Sequence, residues 1–396
     1  MKKEILFSLF SLCAIACSGP RSDGVDTTAE TDSVQMTVLR LEQLKSKTVT
    51  VPLSSFIENC ELLQLETTDE AFFKPWYTTV TENYIGVRDI DRMPYKLFSR
   101  SGKFICTVGS IGQGPGEYTN SPYDDIIDEK NGLVYLAPFV GDNILVYNME
   151  GKFIKGIGTS YTLNKPKIFL SGNVLTVVHL PIAFSSDKVV AVQFDVNTGA
   201  VLNELPPTAY FMAESFDDEI FNTRNVSETF DFLSTKSDTL YHFDVNNNLI
   251  RPVFTMRSNT SEKLFKQYFQ LNKDIILTGT SFLGTDTKTG QLSYYKEPRL
   301  VAADMKNKTA SYIGVVNDFY GGIPVPLNVT TVRDGYFVQN IQPEALMEVI
   351  EKRLEESNCT EKDRQVLNNT LSTLQEGANN VVFIGKLKSE VSRKLF

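Results

Sequence analysis

The phrase YKLFSRSGKFICTVG, residues 95–109, returns in altered form as ILVYNMEGKFIKGIG, residues 144–158. Gly102-Lys103-Phe104-Ile105 matches Gly151-Lys152-Phe153-Ile154 at an offset of 49, Phe98 matches Tyr147, and Gly109 matches Gly158. Weaker copies run over 189–205 and 240–254, where Gly199 and Asn248 continue the spacing at 48 and 49, and a fainter one covers 300–313. Each copy reads as a strand, a tight turn and a return strand, because Gly and Asn tolerate the positive φ that short hairpin loops require. Ahead of each lies a further β-branched and aromatic run, at 84–87, 133–136, 173–178, 231–233 and 275–278.

Units of roughly 40 to 50 residues holding four antiparallel strands are propeller blades, in which radial stacking covers both faces of every sheet. Strand groups beginning near residues 75, 122, 166, 228, 274 and 332 make six. The fold class is all-β, a six-bladed β-propeller over residues 37–396. A β-sandwich would show similar strands without repeating one hairpin phrase at a fixed interval. The ring must join its ends or leave two strand edges open, and CELLQL at 60–65 and VVFIGKL at 381–387 are the strands expected to do so. Between them a helical pair is inserted at about 343–377. Pro343 opens the first helix, with Leu346, Val349, Ile350 and Leu354 as its apolar stripe. Thr360 and Asp363 form a capping pair for the second, Val366, Leu367, Leu371 and Leu374 supply its stripe, and Gly377 is placed to end it. A third short helix is expected over 262–271, burying Leu264, Phe265, Tyr268 and Phe269.

The N-terminus carries an address. Lys2 and Lys3 precede an uncharged run over 5–16, ILFSLFSLCAIA. At about 18 Å as a helix it falls short of the roughly 30 Å hydrocarbon core, so it reads as an export signal rather than a membrane span. Ala14-Ile15-Ala16-Cys17 resembles the lipobox of bacterial lipoproteins, which implies cleavage after residue 16 and lipidation of Cys17. Residues 18–33 are polar and free of aromatics, so 17–36 reads as a flexible tether.

Composition excludes several classes. With 39 basic and 48 acidic residues the formal charge is −9, so no basic field exists to hold nucleic acid. Two His and five Cys leave little for a zinc site or a disulfide scaffold. His179 and His242 read as packed or surface imidazoles, and no metal or other cofactor is expected. Asp124-Asp125 and Asp217-Asp218-Glu219 read as solvated loop edges, and Arg88, Asp89, Asp91 and Arg92 as surface pairs rather than a channel mouth. Trp76 reads as core rather than as a sugar platform with Tyr77. No residue is nominated as catalytic.

The stretch 108–151, with its Gly-rich lead, Asp-ended strand and hairpin, resembles the NHL-type propeller repeat. Gly112-Gln113-Gly114-Pro115-Gly116-Glu117-Tyr118, together with the lipobox, Leu65-Glu66-Thr67-Thr68 and the late helical pair, is similar to the six-bladed propeller lipoproteins of Bacteroidetes. The Gly-rich phrase lacks the Lys and Ser or Thr of a phosphate loop and reads as an inter-blade turn, a structural motif. Asp26-Thr27-Thr28, Asp32-Ser33-Val34 and Asp238-Thr239-Leu240 resemble that group's O-glycosylation signal. The resemblance implies an outer-membrane lipoprotein, periplasmic or surface-exposed, anchored through Cys17. It would act as a binding module for a ligand or protein, with a glycan, a peptide or an envelope protein as partner. The competing expectation is a hydrolase or lyase acting on glycans or peptides with an oxygen-ligated metal in the channel.

Overall fold

The computed structural model describes residues 36–391 apart from 90–91, 183–188, 208–210, 215–217, 223–229, 260–262, 286–291, 295–298 and 327–329. Three strands precede the blades: β1 (Thr37–Arg40), β2 (Val49–Pro52) and β3 (Glu61–Gln64). Blade 1 is β4 (Pro75–Val80), β5 (Tyr84–Asp89), β6 (Tyr95–Ser99) and β7 (Phe104–Val108). A parallel pair, β8 (Ser110–Ile111) and β9 (Glu117–Tyr118), lies in the link to blade 2. Blade 2 is β10 (Asp124–Asp128), β11 (Leu133–Ala137), β12 (Val140–Asn148) and β13 (Phe153–Asn164). Blade 3 is β14 (Lys167–Ser171), β15 (Val174–Val178), β16 (Ala191–Asp195) and β17 (Val201–Leu205). Blade 4 is β18 (Ile220–Asn222), β19 (Phe230–Ser234), β20 (Thr239–Asp244) and β21 (Leu249–Arg257).

Blade 5 runs β22 (Lys263–Gln270), β23 (Ile275–Thr285), the side strand β24 (Leu292–Tyr294), β25 (Arg299–Asp304), β26 (Thr309–Asn317) and the short β27 (Ile323–Pro324). Blade 6 begins with β28 (Thr330–Arg333) and β29 (Tyr336–Ile341), passes through α1 (Pro343–Glu355) and α2 (Glu361–Leu371), and resumes at β30 (Val381–Lys386). The N-terminal strands hold the ring shut. β3 is the outer strand of blade 6, antiparallel to β30 with Glu61 opposite Ile384 and Gln64 opposite Val381. On the way to it, β1 adds in parallel to the outer edge of β21 and β2 to that of β26, covering two edges that would otherwise be open for pairing.

Stacking of the blades explains the composition of the core. Apolar clusters fill each junction of neighbouring blades, as Tyr147 and Tyr118 do between blades 1 and 2 and Phe98 and Val382 between blades 6 and 1. Phe194 and Leu175 pack between blades 2 and 3, Phe230 and Phe232 between 3 and 4, and Phe254 and Ile276 between 4 and 5. The cluster between blades 5 and 6 extends outward to take Leu346, Ile350 and Leu367 from the helical pair. Among the described residues no helix is long and apolar enough to cross a membrane.

Several expectations are corrected. Residues 263–270 form a strand, β22, paired with β23 along its length, and not a helix. Tyr268, Phe269 and Gln270 are consecutive and all buried, because the innermost strand of a blade is covered on both faces and loses the alternation that marks a strand. Blade 5 accordingly starts at 263 rather than at 274, and blade 4 starts at 220 rather than at 228 because its inner strand is only three residues long. The capping pair of α2 is present, with the Thr360 hydroxyl accepting from the Asp363 N–H and the Asp363 carboxylate accepting from the Thr360 N–H. The helix ends at Leu371, however, and Gly377, with φ +71°, instead donates its N–H to the Glu344 carboxylate in the first turn of α1.

Candidate functional site

Every blade begins with its innermost strand, so the links from outer strand to inner strand all reach one face of the ring. Asp124 is the first residue of β10 and Lys167 the first of β14, which brings both to the axis near that face. Arg88 belongs there too, since the end of β5 lies against the start of β4 with Asp89 opposite Pro75. Arg88, Asp124, Asp125, Lys167 and Arg333 are 2%, 0%, 1%, 4% and 6% exposed, so charged groups occupy the centre of the ring.

Their geometry ties four blades together. The Arg88 guanidinium meets Asp125 Oδ1 at 2.9 Å and donates to the Tyr123 carbonyl. Arg333 approaches from blade 6, with Nη2 at 3.1 Å from Asp124 Oδ1 and Nη1 at 3.4 Å from Asp125 Oδ1, and its Nε reaches Asp334 at 3.3 Å. The Tyr95 hydroxyl donates to Asp125 Oδ2 at 2.9 Å, and the Ile168 N–H of blade 3 donates to Asp124 Oδ2 at 2.9 Å. Burial alone would push the Asp124 carboxyl up, but Arg333, Lys167, Arg88 and the Ile168 N–H together hold it below the ordinary range. Lys167 has fewer partners: its Nζ donates to the Tyr123 carbonyl at 3.3 Å and sits 3.8 Å from the centre of the Tyr123 ring. Burial pushes this ammonium down to about 7, with Asp124 and Glu219 opposing and Arg88 and Arg333 assisting.

A cavity of about 30 Å³ lies among these groups, and all six blades line it, through Tyr77 and Arg88, Asp124, Lys167, Phe221, Gln267 and Arg333 in turn. A second, open concavity of about 490 Å³ lies on the same face, between the 112–120 loop and the β11–β12 turn of blade 2. The loop is internally braced. Glu117 Oε2 accepts from the Gly114 N–H at 2.8 Å and Oε1 from the Ser110 hydroxyl at 3.1 Å, and these bonds hold its carboxyl below the ordinary range. Gly112 N–H donates to the Tyr118 carbonyl, and the Tyr118 and Tyr147 hydroxyls donate to the Val108 and Gly116 carbonyls at 2.6 and 2.9 Å. Gly116 takes φ +75°, and a side chain there would strike the Phe153 ring at 2.4 Å. Gln113, Pro115 and the three loop glycines line the cleft together with Pro138, Phe139 and Phe153. Glu117 and Asp142 are its charged members, with Asn120 and Asn143 beside them.

The remaining candidates separate. The acidic doublet Asp124-Asp125 and Arg88, expected at the surface, are buried at the axis, because guanidiniums from blades 1 and 6 neutralise the carboxylates there. Arg92 is exposed, while Asp91 and Asp217 lie outside the described residues. Glu219 pairs with Lys165 at 2.6 Å. His179 is buried in blade 3, where its Nδ1 accepts from the Asn164 N–H at 3.2 Å and its ring stacks on Tyr161; burial pushes it down to about 4. His242 bonds Asp231 Oδ1 at 2.7 Å, whose other oxygen accepts from Gln270 at 2.6 Å. Tyr77 lies under Arg88 at 4.6 Å, and the Trp76 side chain is outside the described residues. Thr239, within one glycosylation-like triplet, is buried and donates to the Ser237 carbonyl, so it presents no acceptor hydroxyl. Cys17 and the other two triplets lie outside the described residues. Cys60, Cys106 and Cys359 are free thiols.

A protein of Bacteroides fragilis described as exported has a similar structure, with a TM-score of 0.60 at 14% identity, covering 89% of this chain and all of that one. A DUF4221 family member from Bacteroides vulgatus aligns with a TM-score of 0.46 at 11% identity, over 84% of this chain and 98% of the other. None of the curated proteins matches. At such identities the first likeness supports the fold alone. Residues 36–386, which hold all six blades and the closing strand, match the family described as Domain of unknown function (DUF4934), and the chain belongs to that family.

Proposed function

We propose that the protein is a lipid-anchored β-propeller of the bacterial cell envelope that binds a neutral glycan in the cleft between the 112–120 loop and blade 2. The cleft carries this reading. Its volume of about 490 Å³ falls among those of small-ligand sites, roughly 300–1,000 Å³. Asn120, Asp142 and Asn143 offer paired donors and acceptors for vicinal hydroxyls, and the half-exposed Phe153 ring with Pro115, Pro138 and Phe139 offers an apolar surface for the C–H face of a sugar ring. The glycines of the loop and of blade 2 let a ligand approach the backbone closely. An acidic lining disfavours anionic ligands.

The lipobox-like Ala14–Cys17 segment and the NHL-like phrasing of 108–151 support placement on the periplasmic or outer face of an outer membrane. Palmitate labelling should be lost in Cys17→Ala; labelling unchanged by that substitution defeats the anchor. For the ligand, the full chain purified in detergent would be screened on a glycan array and positives titrated by calorimetry. Phe153→Ala and Asp142→Ala should each weaken binding at least about tenfold, the loss of one good contact of about 1.4 kcal/mol. Saturable binding of peptides but of no glycan refutes the ligand class, and glycan affinity unchanged in both variants refutes the site.

The metal-dependent hydrolase reading has less physical support. A divalent ion at the axis would face Arg88, Lys167 and Arg333, and each unit-charge repulsion at about 4 Å costs roughly 4 kcal/mol at an effective dielectric of 20. A tightly held stoichiometric metal in the purified protein would restore it.

A further inference from the structure

The Lys167 ammonium is buried, yet among the described residues only one of its three donors has a hydrogen-bond acceptor, the Tyr123 carbonyl at 3.3 Å, and it also sits over the Tyr123 ring. Buried cations are ordinarily paired or neutralised, because an ammonium withdrawn from water without acceptors is costly. Lys167 lines the axial cavity, and among the described charged residues that line it with Lys167, Arg88 and Arg333 are cations and Asp124 is the one anion. Asp124 is already engaged by Arg333 at 3.1 Å and by the Ile168 N–H at 2.9 Å. Asp125 and Asp334 approach the guanidiniums without lining the cavity, and Glu219 is held by Lys165. Tyr77, Gln267, Tyr268 and Thr331 add uncharged polar side chains to the wall. A volume of about 30 Å³ holds about two waters or one ion of similar bulk.

We infer that the axial cavity is a binding site for one compact monoanion, a halide or a free carboxylate, held by hydrogen bonds from Lys167 in the field of Arg88 and Arg333. The anion supplies the acceptors that Lys167 lacks and joins blades 1, 3 and 6 at their common centre. This site is separate from the glycan cleft and does not depend on it.

The test is the unfolding midpoint of the full chain in detergent, titrated with sodium chloride, bromide or formate against sodium gluconate at constant ionic strength. Gluconate is too large for the cavity and serves as the blank. A saturable rise with at least one small anion is expected, and the apparent affinity drawn from it should fall with rising pH, by up to about tenfold per unit above about 7, the value to which burial pushes Lys167. Lys167→Met, which keeps the length and removes the charge, should abolish the rise while glycan binding persists if the cleft reading holds. Should that variant fail to fold, bromide-soaked crystals of the unaltered protein decide the matter through anomalous scattering at the axis. No difference between the small anions and gluconate, an equal rise in Lys167→Met, or axial density from water alone overturns the inference.

Discussion

Gly102 and Gly151 are the turn glycines of the first two repeats, and each has φ well inside the left-handed region, +85° and +77°. Each also faces the backbone of the preceding blade. A Cβ on Gly151 would lie 2.2 Å from the Thr107 carbonyl oxygen of β7, and one on Gly102 would lie 2.5 Å from the Gln64 oxygen of β3. The same turns bond across the junction, since Glu66 N–H donates to the Gly102 carbonyl at 2.9 Å and Gly109 N–H to the Gly151 carbonyl at 3.3 Å. Gly199, the equivalent in the third repeat, has φ +73° but nothing within 4 Å, and the fourth repeat uses Asn248 at φ +50°. Gly199→Ala therefore adds only the left-handed backbone cost, about 1–2 kcal/mol. Gly151→Ala adds that cost and forces two blades apart, a further 1–3 kcal/mol typical of overpacking, for a total of about 2–5 kcal/mol. Gly199→Asn should be nearly neutral, as Asn tolerates this conformation. Urea unfolding of the full chain and the three variants reads these differences directly. Equal destabilisation by Gly151→Ala and Gly199→Ala would refute the reasoning, because the carbonyl contact between blades would then contribute nothing.

Two further outcomes follow from buried charge and one from closure. His179 titrates near 4 in the folded protein against an ordinary value near 6.5, so the unfolded chain takes up a proton first as the pH falls. Stability from this group is complete above about 6.5 and is lost as the pH falls toward 4, by about 3 kcal/mol in all; His179→Asn should flatten that portion of the stability–pH curve, and an unchanged curve would argue against it. Asp125→Asn leaves the Arg88 and Arg333 guanidiniums short of a buried counter-charge and should cost about 3–5 kcal/mol, whereas a loss below 1 kcal/mol in urea unfolding would mean that water already reaches the pair. A chain beginning at residue 67 lacks β1, β2 and β3 and opens the edge of β30; limited proteolysis should cut it much faster than the full chain, and equal resistance would show that β3 does not close the ring.

What the sequence made legible was set by where each strand sits in its blade. The outer hairpins, β6–β7 and β12–β13, carry their turn at a residue with positive φ and expose one face, so both the glycine and the alternation survive in the primary structure. The closing pair was legible for a related reason: CELLQL and VVFIGKL are strand-like segments with no partner close in sequence. Inner strands have neither signal. β22 is flanked by neighbouring blades on both faces, and its consecutive Tyr268-Phe269 fits a helical stripe as well as a strand. The inner strand of blade 4 is only three residues long, too short for any periodicity.

The axial charges were illegible for a stronger reason. Asp124-Asp125 has the composition of a solvated loop edge, and the guanidiniums that pair with it come from other blades, Arg88 from blade 1 and Arg333, 208 residues from Asp125, from blade 6. Only the ring brings them together, and that makes the cluster a check on ring size. Arg88 comes from blade 1, the carboxylates from blade 2 and Arg333 from blade 6, so an unclosed ring would take one of the two guanidiniums from the carboxylate pair. A ring with one blade too few would bring another strand in place of β28 against β4 and lose Arg333 in the same way. The polar centre thus gathers groups from blades 1, 2, 3 and 6, while the aromatic junctions bury the faces of neighbouring blades.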